Sequence, residues 1–388
     1  MSPRKYEPLF ELAIGGMATV YIGIARGALG FSQLVAMKKP HAHLLDHSQQ
    51  REALRHEARL ASLVRHANVV NVRDVEEDGQ DVWLVMDYIE GASLAELLEA
   101  SAQAKEAFAP AITMRIILDA CAGLAAAHAA TSRGGEPLAR VHRDVSPQNI
   151  LVGLDGVSRL ADFGIAKALD GPAATAPGTI KGKLAYMAPE YIAGAAIDAR
   201  ADIFAVGVVI WEAFRGQRLF RGADEDETKR NVLEKKAPDL TNVGAMLGGV
   251  VARALHKSRG ERFSGAAELA LALEGAGDPI ATAGEVSAVV RRFAGPRIEE
   301  RRDRISALVD DSAVVSSLRP TFPERMPVMA ASPTPTPTST STSTSTSTST
   351  STSTSNRTVL RGIFVAVALV ALLALGLYGL THTNGTGP

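Results

Sequence analysis

The periodicity of this chain changes once, near residue 91, and that change limits what it can fold into. Up to about Gly91 the apolar residues fall in short runs rich in β-branched and aromatic side chains, at 19–25, 33–37, 69–75 and 82–88. Such runs are strand signals. Between the second and third, residues 50–64 place Leu54, Ala58, Ala61 and Leu63 near helical spacing. From Ser93 onward helical patterns dominate, at 112–130, 203–214, 250–255 and 265–273. A small β-rich lobe followed by a larger helical lobe is an α+β, bilobal arrangement. The boundary between two such lobes is a favoured place for a ligand cleft.

The totals exclude some classes. Across 388 residues the net charge is −1 and no basic stripe dominates, so no nucleic-acid partner is expected. The hydrophobic share of 46% supports a sizeable core. The single cysteine, Cys121, cannot form an internal disulfide and reads as a small core residue in a reducing compartment. The opening MSPRKYEPLF has no apolar run, so no signal peptide is expected.

A few short segments with polar residues carry the chemical signal. ELAIGGMATVYIG puts Gly15 and Gly16 in a turn between strands, where backbone N–H groups can approach phosphates. Alone, most such pairs are plain hairpin turns. LVAMKK projects Lys38 from a strand, and Glu57 sits in the helical LRHEARLASL. Each alone reads as a surface charge. ARVHRDVSPQNILVG, at 139–153, gathers His142, Arg143, Asp144 and Asn149. Thirteen residues beyond Asn149 stands Asp162 of ADFG, followed by Phe163 and Gly164, and YMAPE ends in Glu190. In this order and spacing the pieces are highly specific.

Together they resemble the protein kinase domain, over residues from about 6 to 273, in the bacterial eukaryotic-like Ser/Thr group. The phrase VHRDVSPQNILV is similar to kinases of myxobacteria and their relatives. The resemblance implies ATP and Mg²⁺ as cofactors and a role for each matching residue. Lys38 grips the α- and β-phosphates, and Glu57 holds Lys38. Asn149 and Asp162 ligate Mg²⁺. Asp144 accepts the proton of the substrate hydroxyl. Leu12, Gly15, Gly16, Val20, Ala36 and Leu151 enclose the nucleotide. Met86 is the gatekeeper, and the backbone of Asp87 and Ile89 binds the adenine edge. His142 and Phe163 pack internally, Glu190 pairs with Arg262, and Asp202 anchors the catalytic loop. Arg143 pairs with a phosphate on the activation loop, for which Thr175 and Thr179 are the candidate sites.

Two departures matter. The glycine loop has Ala13 and Ala18 where the family carries its first and third glycines. Ser146 stands where such kinases carry a lysine, and Lys183 stands where they carry its threonine partner. An exchange is expected, with Ser146 as the hydroxyl and Lys183 as the charge from the opposite side. His41, His43 and His47 lack a fourth ligand, so no zinc site is expected.

The kinase domain is read as 6–275, with lobes at 6–91 and 92–275. A juxtamembrane segment follows at 276–332, with helical stretches at 286–293 and 298–308; its charge run EERRDR reads as a solvated face. Residues 333–355 form a Pro/Ser/Thr linker without apolar side chains to bury. Residues 362–380, GIFVAVALVALLALGLYGL, are uncharged, and as a helix they cover roughly 28 Å, the thickness of a bilayer core. Arg357 and Arg361 precede this transmembrane helix, which keeps the kinase domain cytoplasmic and sends 381–388 across the inner membrane. The reading is a single-pass, membrane-tethered Ser/Thr protein kinase in signal transduction, acting on proteins and autophosphorylating its activation loop. Pro147 favours Ser/Thr over Tyr. Signals arrive from the cytoplasmic side or through a homodimer. The alternative is a catalytically weak pseudokinase scaffold at the membrane. A small-molecule kinase is disfavoured by the YMAPE segment, which shapes a protein-substrate platform.

Overall fold

A computed structural model describes residues 5–44, 48–79, 81–131, 134–135, 141–162, 183–240 and 243–309. Five strands build the first lobe: β1 (Tyr6–Ile14), β2 (Ala18–Arg26), β3 (Ser32–Pro40), β4 (Val72–Asp78) and β5 (Asp81–Asp87). They pair antiparallel in the order β1-β2-β3-β5-β4. The run starting at Val69 becomes a strand only at Val72. Before that, Val69 bridges in parallel to Leu160 and Val70 N–H donates to Leu160 O at 2.8 Å. Helix α1 (Ser48–Ala61) lays Leu54, Ala58 and Ala61 against Val70, Val82, Leu84 and Met86. Their i, i+4, i+7 spacing makes one apolar stripe.

The second lobe opens with β6 (Gly91–Ser93), which pairs with β7 (Ile150–Gly153), which in turn pairs with β8 (Ser158–Leu160). Around this small sheet stand α2 (Leu94–Ala104), α3 (Pro110–His128), α4 (Pro189–Ile192), α5 (Arg200–Arg215), α6 (Glu225–Glu234), α7 (Ala245–Ala254) and α8 (Ala266–Gly275). Helix α3 is long and apolar enough to cross a membrane, yet it is the core helix of this lobe. Met114, Ile116, Ile117, Cys121 and Leu124 on it are fully buried. Burial pushes the Cys121 thiol up to about 12, so it packs as an inert small side chain.

Residues 286–293 and 298–308 are not two helices but one, α9 (Ala283–Leu308), running through Pro296. A proline inside a helix costs about 3 kcal/mol. Packing offsets that cost: Val286, Val290, Ala294 and Ile298, spaced four apart, all enter the core of the helical lobe. Thr282 caps the start, accepting from Glu285 N–H at 3.3 Å while the Glu285 carboxylate accepts from Thr282 N–H at 2.7 Å. At Gly156, φ +76°, an added Cβ would lie 1.8 Å from Ala283 O, so only glycine lets this start approach the β7–β8 turn. The charge run is not a solvated face throughout, because Arg301 and Arg302 dock on residues 90 and 91. The expected linker, membrane helix and tail lie outside the described residues.

Candidate active site

Strands β1 and β2 join through Gly15, Gly16 and Met17, and Gly15 N–H donates to Ala18 O at 2.9 Å. Ala13 faces Val20 across the ladder and Ala18 faces Pro40. Neither alanine has positive φ, so the missing glycines fall where strand pairing suits an L-residue. On β3 the period of two puts Ala36 and Lys38 on one face, opposite Met86 and Leu84 of β5. One cavity of about 810 Å³ lies between this sheet and the helical lobe. Leu12, Gly15, Gly16, Val20, Ala36, Lys38, Met86, Asp87, Ile89 and Leu151 line it, with Asp144, Asn149, Asp162 and Lys183. Asp87 N–H already donates to Asn71 O at 3.0 Å, so its part in holding an adenine edge falls to its carbonyl.

The floor is held from below. Asp202, buried in the first turn of α5, accepts from His142 N–H at 2.7 Å and from Arg143 N–H at 2.9 Å. His128 Nε2 lies 2.9 Å from the same carboxylate. These bonds fix Arg143 at φ +65°, and Asp162 sits at φ +60°. Such conformations are strained for non-glycine residues and persist only where surroundings over-determine them. His142 Nδ1 accepts from Asp144 N–H at 3.3 Å, which leaves Nε2–H to donate to Ala161 O at 3.1 Å. Burial pushes the His142 pKa down, so the ring is a neutral spacer.

Charge is concentrated on two ion pairs, Lys183 with Asp144 and Lys38 with Asp162. Asp144 Oδ2 accepts from Asn149 Nδ2 at 2.7 Å and from Lys183 Nζ at 2.5 Å. Lys38 Nζ lies 2.7 Å from Asp162 Oδ1. Burial alone would raise the Asp162 carboxyl, but Lys38, with Lys183 behind it, holds it below the usual range. Glu57 lies on α1, but its side chain is outside the described residues, as are Phe163, Gly164, Thr175 and Thr179. His41 Nε2 sits 3.4 Å from Thr19 Oγ1, and the His43 side chain and His47 are likewise outside.

Lys183 and Ser146, the two residues of the expected exchange, have different surroundings. Lys183 does bring its ammonium to Asp144. Ser146 does not line the main cavity, and its buried Oγ has no hydrogen-bond partner among the described residues. An ammonium prefers a full carboxylate charge to a neutral hydroxyl, so Lys183 goes to Asp144 and the hydroxyl is left over. Below the floor, Arg262 meets Glu190 through two bonds of 2.8 Å.

Sequence reasoning missed one whole wall of this cavity. Tyr88 lines it, and so do Arg297, Glu300, Arg301 and Arg304 of α9. The signal was present: 297, 301 and 304 follow i, i+4, i+7 spacing, which aligns three arginines on one helix face.

Comparison with known proteins agrees with this geometry. Residues 6–271 match the family model "Protein kinase domain". The tyrosine-protein kinase MasK of Myxococcus xanthus is 37% identical over 55% of this chain, which spans 33% of MasK. The serine/threonine-protein kinase PknL of Mycobacterium tuberculosis is 31% identical over 71% of this chain, which spans 67% of PknL. The serine/threonine-protein kinase Pkn1 of Myxococcus xanthus is 33% identical over 68% of this chain, which spans 37% of Pkn1. The crystal structure of the Mycobacterium tuberculosis PknI kinase domain superposes with a TM-score of 0.54 at 25% identity, covering 70% of this chain and 96% of that one. The chain belongs to the protein kinase family, in its bacterial, eukaryotic-like serine/threonine branch.

Proposed function

We propose that this chain transfers the γ-phosphoryl group of ATP to Ser and Thr hydroxyls of proteins while tethered to the cytoplasmic membrane. One observation carries the reading: Lys38, Asp144, Asn149, Asp162 and Lys183 line a single cavity between the lobes. Phosphoryl transfer needs little covalent help and much positioning. Asp144, oriented by Asn149, is placed to accept the proton of the attacking hydroxyl. Lys183 sets a positive charge beside it. Lys38 keeps Asp162 ionised and is itself available to phosphate oxygens. Asp162 and Asn149 offer the hard oxygen donors that would hold Mg²⁺, which would supply positive charge against the phosphates. A cation that binds through one or two protein groups plus substrate phosphates fits this sparse donor set.

Transfer of γ-³²P from ATP to a generic protein substrate tests the reading. Asp144→Asn should lower it about a hundredfold to ten-thousandfold, the usual worth of a positioned base. Equal rates for both proteins would leave the pseudokinase scaffold. The apolar 362–380 segment supports the membrane tether, and deleting it should move the chain from the membrane to the soluble fraction. Arg143, one residue before Asp144, supports activation through phosphate on Thr175 or Thr179; replacing both by alanine should remove that activation.

A further inference from the structure

We infer that α9 is the outer wall of the nucleotide site and sets its affinity for the base and ribose of an adenine nucleotide. The inference rests on reading the cleft as an ATP site. Helix α9 starts on the helical lobe, where Ser287 Oγ donates to Leu154 O at 2.6 Å. It ends on the β-rich lobe, where buried Ile305 and Val309 pack with Phe10, Ile22, Ile24 and Leu34. One helix therefore spans both lobes at the segment that joins them.

Three arginines act at that crossing. Arg302 grips Glu90 through two bonds, Nε to Oε1 at 2.6 Å and Nη2 to Oε2 at 2.8 Å. Neither side chain is more than 28% exposed. Arg301 donates to Gly91 O at 3.1 Å. The Arg304 guanidinium stands 4.1 Å from the centre of the Phe10 ring on β1. Tyr88, between Asp87 and Ile89, packs in the same cluster as Ile305. Residues 87–91 are thus held from outside by α9, while Arg301 and Arg304 also line the cavity itself. A planar guanidinium can stack on an aromatic face, and a base entering the cleft presents one. Holding the joining segment in place beforehand removes part of the ordering cost of binding. Arg302 is in these terms a positioning residue, whereas Arg301 and Arg304 face the ligand.

The test uses the full chain and calorimetric titration with Mg²⁺ and AMP-PNP. Arg302→Glu sets two carboxylates against each other and should weaken binding about tenfold, the scale of one partly buried charge-assisted pair. Adding Glu90→Arg should recover affinity to within about threefold, since the pair is restored in reverse. Arg304→Ala, on an exposed side chain, should weaken binding about threefold through the lost stacking. Arg292→Ala, on the same helix but paired with Glu106, should leave affinity unchanged. KM for ATP should follow Kd while kcat at saturating ATP shifts by less than about twofold. Melting shifts in Arg302→Glu and Arg304→Ala with unaltered Kd would overturn the inference and make α9 a structural brace. So would a wild-type chain that binds no AMP-PNP. Affinities that follow this pattern without any phosphate transfer would sink the kinase reading and leave the wall standing.

Discussion

Arg262 and Lys183 each bring a cation to a carboxylate beside the catalytic loop, and they are held in opposite ways. The Arg262 side chain is fully buried. Besides Glu190 it donates to His256 O at 2.7 Å, Arg200 O at 2.9 Å and Lys257 O at 3.0 Å. Every guanidinium nitrogen is spent on a fixed acceptor. Lys183 has 40% of its side chain in solvent and one short bond to Asp144. The first arrangement fixes a backbone. The second places a single charge at the end of a half-exposed, flexible stem.

The difference can be broken in order of size. Arg262→Ala leaves the Glu190 carboxylate, 10% exposed, without its guanidinium partner, a change that costs about 3–5 kcal/mol. A guanidinium denaturation midpoint will show it, and a loss under about 1 kcal/mol would mean solvent reaches the site. Asp202→Ala strands the amides of His142 and Arg143, at about 1–3 kcal/mol for each buried donor left without an acceptor. Its turnover should fall further than its stability explains, because Arg143 and Asp144 lose their fixed backbone.

Acid sharpens the contrast. Asp162 is held below the usual carboxylate range by Lys38, against the upward push of burial. The sign follows from linkage: the stabilisation is complete above the unfolded pKa, near 4, and is lost as pH falls through the lower folded value. The melting-temperature gap between wild type and Lys38→Met should therefore narrow as the pH drops from 6 toward 3. A gap independent of pH would show that Lys38 does not set the charge of Asp162. The smallest stability effect belongs to Lys183→Ala, at about 0–1 kcal/mol, the worth of a partly exposed pair. Its turnover should nevertheless fall about a hundredfold, as for other single groups aimed at developing charge. Intact turnover would rule out the exchange with position 146.

The cleft was legible because its residues sit at set distances along the chain on short, recognisable segments. Lys38 follows from a strand run, and Asp144, Asn149 and Asp162 from one loop and the strand pair behind it. Helix α9 was not legible. Gly295 and Pro296 look like a break, and EERRDR looks like a solvated surface. Both signals are local, and the opposing term is not: Val286, Val290, Ala294 and Ile298 become one stripe only when the helical lobe is there to receive them. Ser146 shows the same limit. A residue type can suggest a partner, but the Lys183 ammonium had a stronger acceptor within reach.

Sequence alone determined the two-lobed division, the family and the chemical groups that gather at the cleft, because periodicity and motif spacing are properties of the chain's covalent order. Tertiary structure decided which charges pair, that Lys183 meets Asp144 while the Ser146 hydroxyl finds no hydrogen-bond partner among the described residues, and that a helix from beyond the lobes walls the site. Those outcomes depend on competition in space between acceptors and packing surfaces far apart along the chain, and local order carries no record of that competition.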